Sequence, residues 1–271
     1  MTTITIETDR EVVDITDDRL GRLRIFNLVM GCVHLVSGLF MVAIGNRDFE
    51  LPTSTFTLNG PPGTPLADGS IEEFVGVPLA WGTAAFLFLS ALFHFIIASP
   101  WGFSLYGREL RRGRNRFRWV EYSLSATLMI VLIALITGIT DVAALIAIAF
   151  VNVSMILFGW IMEMVNVPGG ERWWTPFWFG CIAGIGPWAA IVTYLVINSS
   201  IDGAATPPTF VYAIIATIFV FFNCFAINQW LQYRGIGKWK DYVFGETVYI
   251  VLSLTAKSAL AWQIFANTLI D

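Results

Sequence analysis

Two side chains in this sequence combine a chemically useful group with an apolar setting: Lys257 and Glu121. Lys257 lies in Leu252-Ser253-Leu254-Thr255-Ala256-Lys257-Ser258-Ala259-Leu260-Ala261-Trp262. If that stretch is helical, the lysine is about 22 Å along the axis from Tyr242 and about 18 Å from Leu269, at ~1.5 Å per residue. A snorkelling lysine would have to carry its ammonium well over a helical turn in either direction. The other reading is that the amine is covalently engaged, since an amine held in an apolar pocket is suited to condense with a carbonyl as a Schiff base.

A protonated Schiff base in low dielectric needs an anion beside it. Glu121 is the candidate, in Arg118-Trp119-Val120-Glu121-Tyr122-Ser123-Leu124-Ser125. Arg118 lies one turn before it and Ser125 one turn after, so all three share a helical face. A local pair with Arg118 is the competing reading. For Glu121 to lie deep, its helix should begin near Arg111, which would put the carboxylate about 15 Å in. His34 and His94 lie in the same halves of their apolar runs, and histidine titrates near neutrality. His34, His94 and Arg118 are therefore candidates for a proton network. Glu163 and Glu246 fall near run ends, where an interfacial role is expected. Met155, Trp188, Tyr194, Phe222 and Trp230 are candidates to line an apolar pocket. No His/Cys cluster has metal-ligand spacing, no nucleotide fingerprint occurs, and no enzyme is expected.

These groups must be positioned by membrane helices. The chain has 271 residues, of which 56% are hydrophobic and 13% charged, about half the charge usual in a soluble domain. Its mean hydropathy is +0.69. Seven stretches of about 20 apolar residues can each cross a bilayer as a helix: 25–45, 77–98, 118–137, 142–164, 175–198, 209–233 and 242–269. Turn-forming runs separate them, such as Asn59-Gly60-Pro61-Pro62-Gly63, Ser99-Pro100, Pro168-Gly169-Gly170 and Thr206-Pro207-Pro208. An all-α seven-span bundle is expected over residues 21–271, after a solvated tail at 1–20. That tail carries Glu7, Asp9, Glu11, Asp14, Asp17 and Asp18 and lacks the apolar core of a signal peptide. Cys32, Cys181 and Cys224 sit in apolar runs and suggest no disulfide framework.

Basic residues set the orientation. Fourteen of the 16 lysines and arginines fall in the tail and the even-numbered connections, and the opposite side holds only Arg47. The positive-inside rule predicts a multi-pass protein of the cell membrane with a cytoplasmic N-terminus and an external C-terminus. The connection 46–76 is then extracellular, and Ser54-Thr55-Phe56-Thr57-Leu58 running into Asn-Gly-Pro-Pro-Gly predicts a short β-hairpin there. The arginine-rich second connection is a candidate to meet a partner or anionic lipid.

Seven spans with a lysine in the last and a carboxylate in the third resemble a microbial-type retinal protein. An inside N-terminus is the reverse of that group's usual arrangement. That inversion, Arg118-Trp119-x-Glu121-Tyr122, Ala256-Lys257-Ser258-x-x-Ala261-Trp262-Gln263, Asn59–Pro65 and Gln229-x-x-Gln232-Tyr233 together resemble the heliorhodopsins from about residue 20 onward. The resemblance implies a rhodopsin-like bundle, all-trans retinal linked to Lys257, Glu121 as counterion, a homodimer and a slow photocycle without ion pumping. It also implies that Ser90, His94, Ser125, Asn152, Met155, Phe222, Gln229 and Ser253 lie near the chromophore, and that His34 and His94 are paired.

The expected function is light sensing, with a cytoplasmic signalling partner. A light-gated proton or ion channel, or a light-driven transporter, is the alternative, and a retinal-free protein with a structural Lys257–Glu121 pair is a third reading. The charge asymmetry makes its own prediction. A cysteine placed in the tail should be protected from an impermeant thiol reagent in intact cells, whereas one near Asp68 should react. The opposite labelling pattern would reverse the topology.

Overall fold

The computed structural model describes residues 13–46, 48–166, 170–201 and 207–269. The tail residues Glu7, Asp9, Arg10 and Glu11, together with Arg47, Pro168, Gly169 and Thr206, lie outside the described residues. The membrane helices are α1 (Asp17–Ile44), α2 (Leu79–Ala98), α4 (Arg116–Ile136), α5 (Val142–Val165), α6 (Thr175–Ser200), α7 (Thr209–Arg234) and α8 (Tyr242–Ile264). A π-helical turn, Phe265–Leu269, prolongs the last of these. All seven predicted spans are present.

Helix ends follow from local chemistry. Thr16, Asn115, Asp141 and Asp241 each accept a hydrogen bond from a backbone N–H in the first turn of α1, α4, α5 and α8, meeting donors that a helix start leaves unpaired. Gly235 ends α7 at φ +62°, a conformation that favours glycine. The helix α1 begins at Asp17, inside the stretch expected to be tail, because the Thr16 cap and the acidic pair Asp17 and Asp18 suit a helix start.

The long first connection forms the predicted hairpin. Strand β1 (Glu50–Leu58) pairs antiparallel with β2 (Gly69–Pro78), in a register running from Glu50 opposite Pro78 to Leu58 opposite Gly69, with an irregularity between Pro52 and Ser54. Ser54 anchors it to the α4–α5 connection: its amide donates to the Thr140 carbonyl at 2.8 Å, and the two hydroxyls lie 2.9 Å apart. At this end, Met41, Leu79, Phe86, Leu87, Leu132, Ile133 and Leu260 form a close-packed apolar core.

The opposite, basic end departs from expectation. The second connection contains a further helix, α3 (Pro100–Arg111), which buries Gly102, Tyr106, Glu109 and Leu110 against the bundle. Ser99 caps it, accepting from Gly102 N at 3.1 Å. Gly113, at φ +70°, then turns the chain, so the third span starts at Arg116 and not near Arg111. Glu121 is consequently only about 8 Å from the start of its helix at ~1.5 Å per residue, yet it is 6% exposed. Its burial comes from a roof. Val13 N donates to the Arg111 carbonyl, Ile15 is buried, and Leu20, Leu23, Tyr106, Leu110 and Phe117 pack beneath it. Arg19 pairs with Asp241 and Arg111 with Asp17, tying α1, α3 and the α7–α8 connection together.

Candidate functional site

The centre of the bundle is an ion pair between α4 and α8. Lys257 Nζ donates to Glu121 Oε1 at 2.9 Å and to Ser253 Oγ, one turn earlier on its own helix, at 2.6 Å. Ser90 of α2 donates to the same carboxylate oxygen at 2.6 Å, and the Tyr122 ring lies 5.2 Å from the ammonium. Lysine, glutamate and both serines are buried. Ser125, one turn on from Glu121 in α4, is also buried.

On the basic side of this pair lies a polar cavity of about 40 Å³, room for about three or four waters at ~10–15 Å³ each. Asn27, Ser90, His94, Tyr106, Arg118 and Glu246 contribute to its wall. His94 Nδ1 lies 2.8 Å from Asn27 Oδ1, and the His34 ring stacks on the His94 ring with centroids 5.6 Å apart and planes at 14°. Burial pushes the Tyr106 phenol, on the roof helix α3, well above its ordinary range.

Arg118 does not pair with Glu121. Its guanidinium bridges Glu163 of α5 and Glu246 of α8 and lies 4.0 Å over the Tyr249 ring. Asn115 completes the cluster, donating from its backbone to Glu163 at 2.9 Å and from its side chain to Glu246 at 2.8 Å. The Trp119 indole N–H also donates to Glu163. The expectation that Glu163 and Glu246 are interfacial is therefore corrected: they are 3% and 0% exposed. Sequence position near a helix end suggested contact with water, but the roof covers both carboxylates. Sequence reasoning also passed over Asn27, Tyr106, Asn115, Tyr122 and Tyr249. Asn115 had a readable signal, as a capping residue type just before an apolar run. The others are joined only by folding.

On the far side of Lys257 an apolar cavity of about 610 Å³ opens between α4, α5, α6, α7 and α8, within the ~300–1,000 Å³ usual for small-molecule sites. Met155, Phe222, Gln229 and Ser253 line it, as does Trp188, while Lys257 closes one end. Gln229 is held by a bond to the Gly159 carbonyl at 3.0 Å. Gly184 leaves room for Met155, since a Cβ there would lie 2.8 Å from its sulfur. Ser90, His94 and Ser125 stand on the Glu121 side and outside this cavity's lining. Asn152 also lies outside it, with its amide joining α5 to Thr127 of α4 at 2.9 Å. Tyr194 and Trp230 are not among the lining residues. Among the described residues, no cluster has the composition of a metal site.

A family model described as Heliorhodopsin matches residues 23–269. Solved structures share the fold. A light-driven proton pump from Leptosphaeria maculans aligns at 15% identity and TM-score 0.63, over 94% of this chain and 98% of its own. Cyanorhodopsin from the cyanobacterium Tolypothrix aligns at 12% identity and TM-score 0.60, over 94% and 96%. No curated protein matches the chain.

Removing one partner of a buried ionic cluster leaves the remaining charge uncompensated, at about 3–5 kcal/mol. Arg118→Met should therefore lower the thermal unfolding temperature sharply, and adding Glu163→Gln and Glu246→Gln should recover part of the loss. An unchanged melting temperature for the single variant would show that the cluster does not depend on the guanidinium.

Proposed function

Because the chain belongs to the heliorhodopsin family, we propose that it is a retinal-binding light sensor whose chromophore is attached to Lys257. One observation carries this reading: a buried amine, facing a carboxylate at 2.9 Å, closes one end of a large apolar cavity. The residues fit the group. The cavity wall is rich in aromatic and aliphatic side chains, and the absence of a Cβ at Gly184 makes space for Met155 to shape it. All-trans retinal held there would supply light absorption and a change of shape on isomerisation.

The protein's own groups have distinct parts. Glu121 is the counterion, and Ser90 and Ser253 hold the carboxylate and the Lys257 nitrogen in register. Met155, Phe222, Trp188 and Gln229 form the wall, with Ser125 and Asn152 packed around it. His94, His34 and Arg118 belong to the polar network on the basic side.

That network bears on whether light drives net transport, which requires titratable groups on both sides of the linkage. Toward the hairpin, α4 continues as Met129-Ile130-Val131-Leu132-Ile133-Ala134-Leu135-Ile136, and α8 beyond Lys257 offers Ser258, Gln263 and Asn267. The core there is apolar and closely packed. Glu121, His94, His34, Glu163 and Glu246 all stand on the other side. A proton leaving the Lys257 nitrogen moves toward that side and returns from it, so the cycle closes without net transfer. With the basic end in the cytoplasm, rearrangement there would be read by a signalling partner, and the family resemblance supports a homodimer as the working unit.

Lys257→Ala should yield a membrane-inserted but colourless protein after expression with retinal, and covalent colour in that variant would overturn the assignment. Glu121→Gln should change the absorption maximum and the pH at which the colour titrates; an unchanged spectrum and titration would assign the role to another anion.

Illuminated suspensions of expressing cells should show no sustained pH change that a protonophore abolishes. A steady photocurrent against an opposing proton gradient would favour the light-driven transporter, and a passive photocurrent the channel.

A further inference from the structure

The helix α3 has two faces with different tasks. Gly102, Tyr106, Glu109 and Leu110 are buried against the bundle. At 100° per residue, Trp101, Ser104, Leu105, Arg108 and Arg112 fall within one stripe on the opposite side. Trp101 is 71% exposed, Ser104 and Arg108 are exposed, and Leu105 and Arg112 are half-buried. The stripe carries two guanidinium groups and no carboxylate.

Nearby acids are already engaged. Glu109 faces inward, pairs with Arg116 through two hydrogen bonds of 2.9 and 3.0 Å and lies 3.8 Å from Arg112, and Asp17 pairs with Arg111. Among the described residues, Arg108 has no carboxylate partner. The depth of the helix is also defined. It starts two residues after α2 ends, so its first turn lies where α2 leaves the hydrocarbon. Trp173 and Trp178, 58% and 57% exposed, flank the start of α6 at the same end of the bundle. Exposed tryptophans at such a level mark the membrane–water interface. A face combining interfacial Trp and Leu with an unpaired guanidinium complements a lipid phosphate with its acyl chains below.

We propose that the exposed face of α3 is a docking surface for an anionic phospholipid of the adjoining leaflet. Trp101 and Leu105 contact the upper acyl region, and Arg108, with Arg112 beside it, binds the headgroup phosphate.

The test is native mass spectrometry of the full-length protein in detergent, titrated with phosphatidylglycerol or phosphatidylcholine. The wild type should bind a first phosphatidylglycerol more tightly than phosphatidylcholine. Arg108→Gln should weaken that binding about fivefold, the effect of one basic side chain at a lipid surface, and Arg108→Lys should retain most of it. Ser104→Glu, which adds an anion that repels the phosphate on the same exposed face, should weaken it as well. The paired control Lys238→Gln, Lys240→Gln should change it less than twofold, and millimolar glycerophosphate should not displace the lipid. Wild-type affinity in both Arg108→Gln and Ser104→Glu would overturn the proposal. So would equal affinity for the two lipids, displacement by glycerophosphate, or an equal loss in the lysine control.

Discussion

The structure depends on holding a cation and an anion together where water is scarce. Lys257 and Glu121 are each nearly inaccessible, and a lone charge at that depth would be strongly unfavourable. Their attraction offsets desolvation only if the remaining hydrogen-bonding capacity is met as well. Ser90 and Ser253 meet it from two further positions. The pair thus requires α2, α4 and α8 to stay in register. The contacts among these helices, and the apolar core on the hairpin side, shield the pair from bulk solvent.

A second constraint follows from the asymmetry of the bundle. Among the described residues, the buried carboxylates, histidines and arginine lie at or on the basic side of Lys257, where Asn27, His94, Tyr106 and the Arg118 cluster surround a small cavity. The hairpin side is closed by Leu79, Phe86, Leu87, Leu132, Ile133 and Leu260. In low dielectric, a charge or proton follows polar partners and not apolar ones. The distribution of side chains, more than any single residue, gives the site its direction.

The roof links that direction to the protein surface. It consists of the segment before α1, the helix α3 and the start of α8, joined by ion pairs and packed over Ile97, Tyr106 and Phe117. Elements that roof a polar cavity are well placed to sense changes in it. They also carry exposed residues such as Trp101 at the surface of that end.

The seven spans were legible in the sequence because each is long and apolar enough to cross a bilayer, and the hairpin because β-branched residues ran into a turn. Lys257 and Glu121 were legible as exceptions, ionisable groups in stretches where such groups are unfavourable. The partners of Arg118 were not legible. Glu163 and Glu246 lie 45 and 128 residues from it, and their positions near helix ends suggested water contact. Nor was the shallow start of α4, where Glu121 is buried by a roof of residues from other elements. Hydropathy and charge record how each segment partitions between water and lipid, a property of the segment alone. Which buried polar groups meet is decided by helix packing, which only the tertiary structure determines.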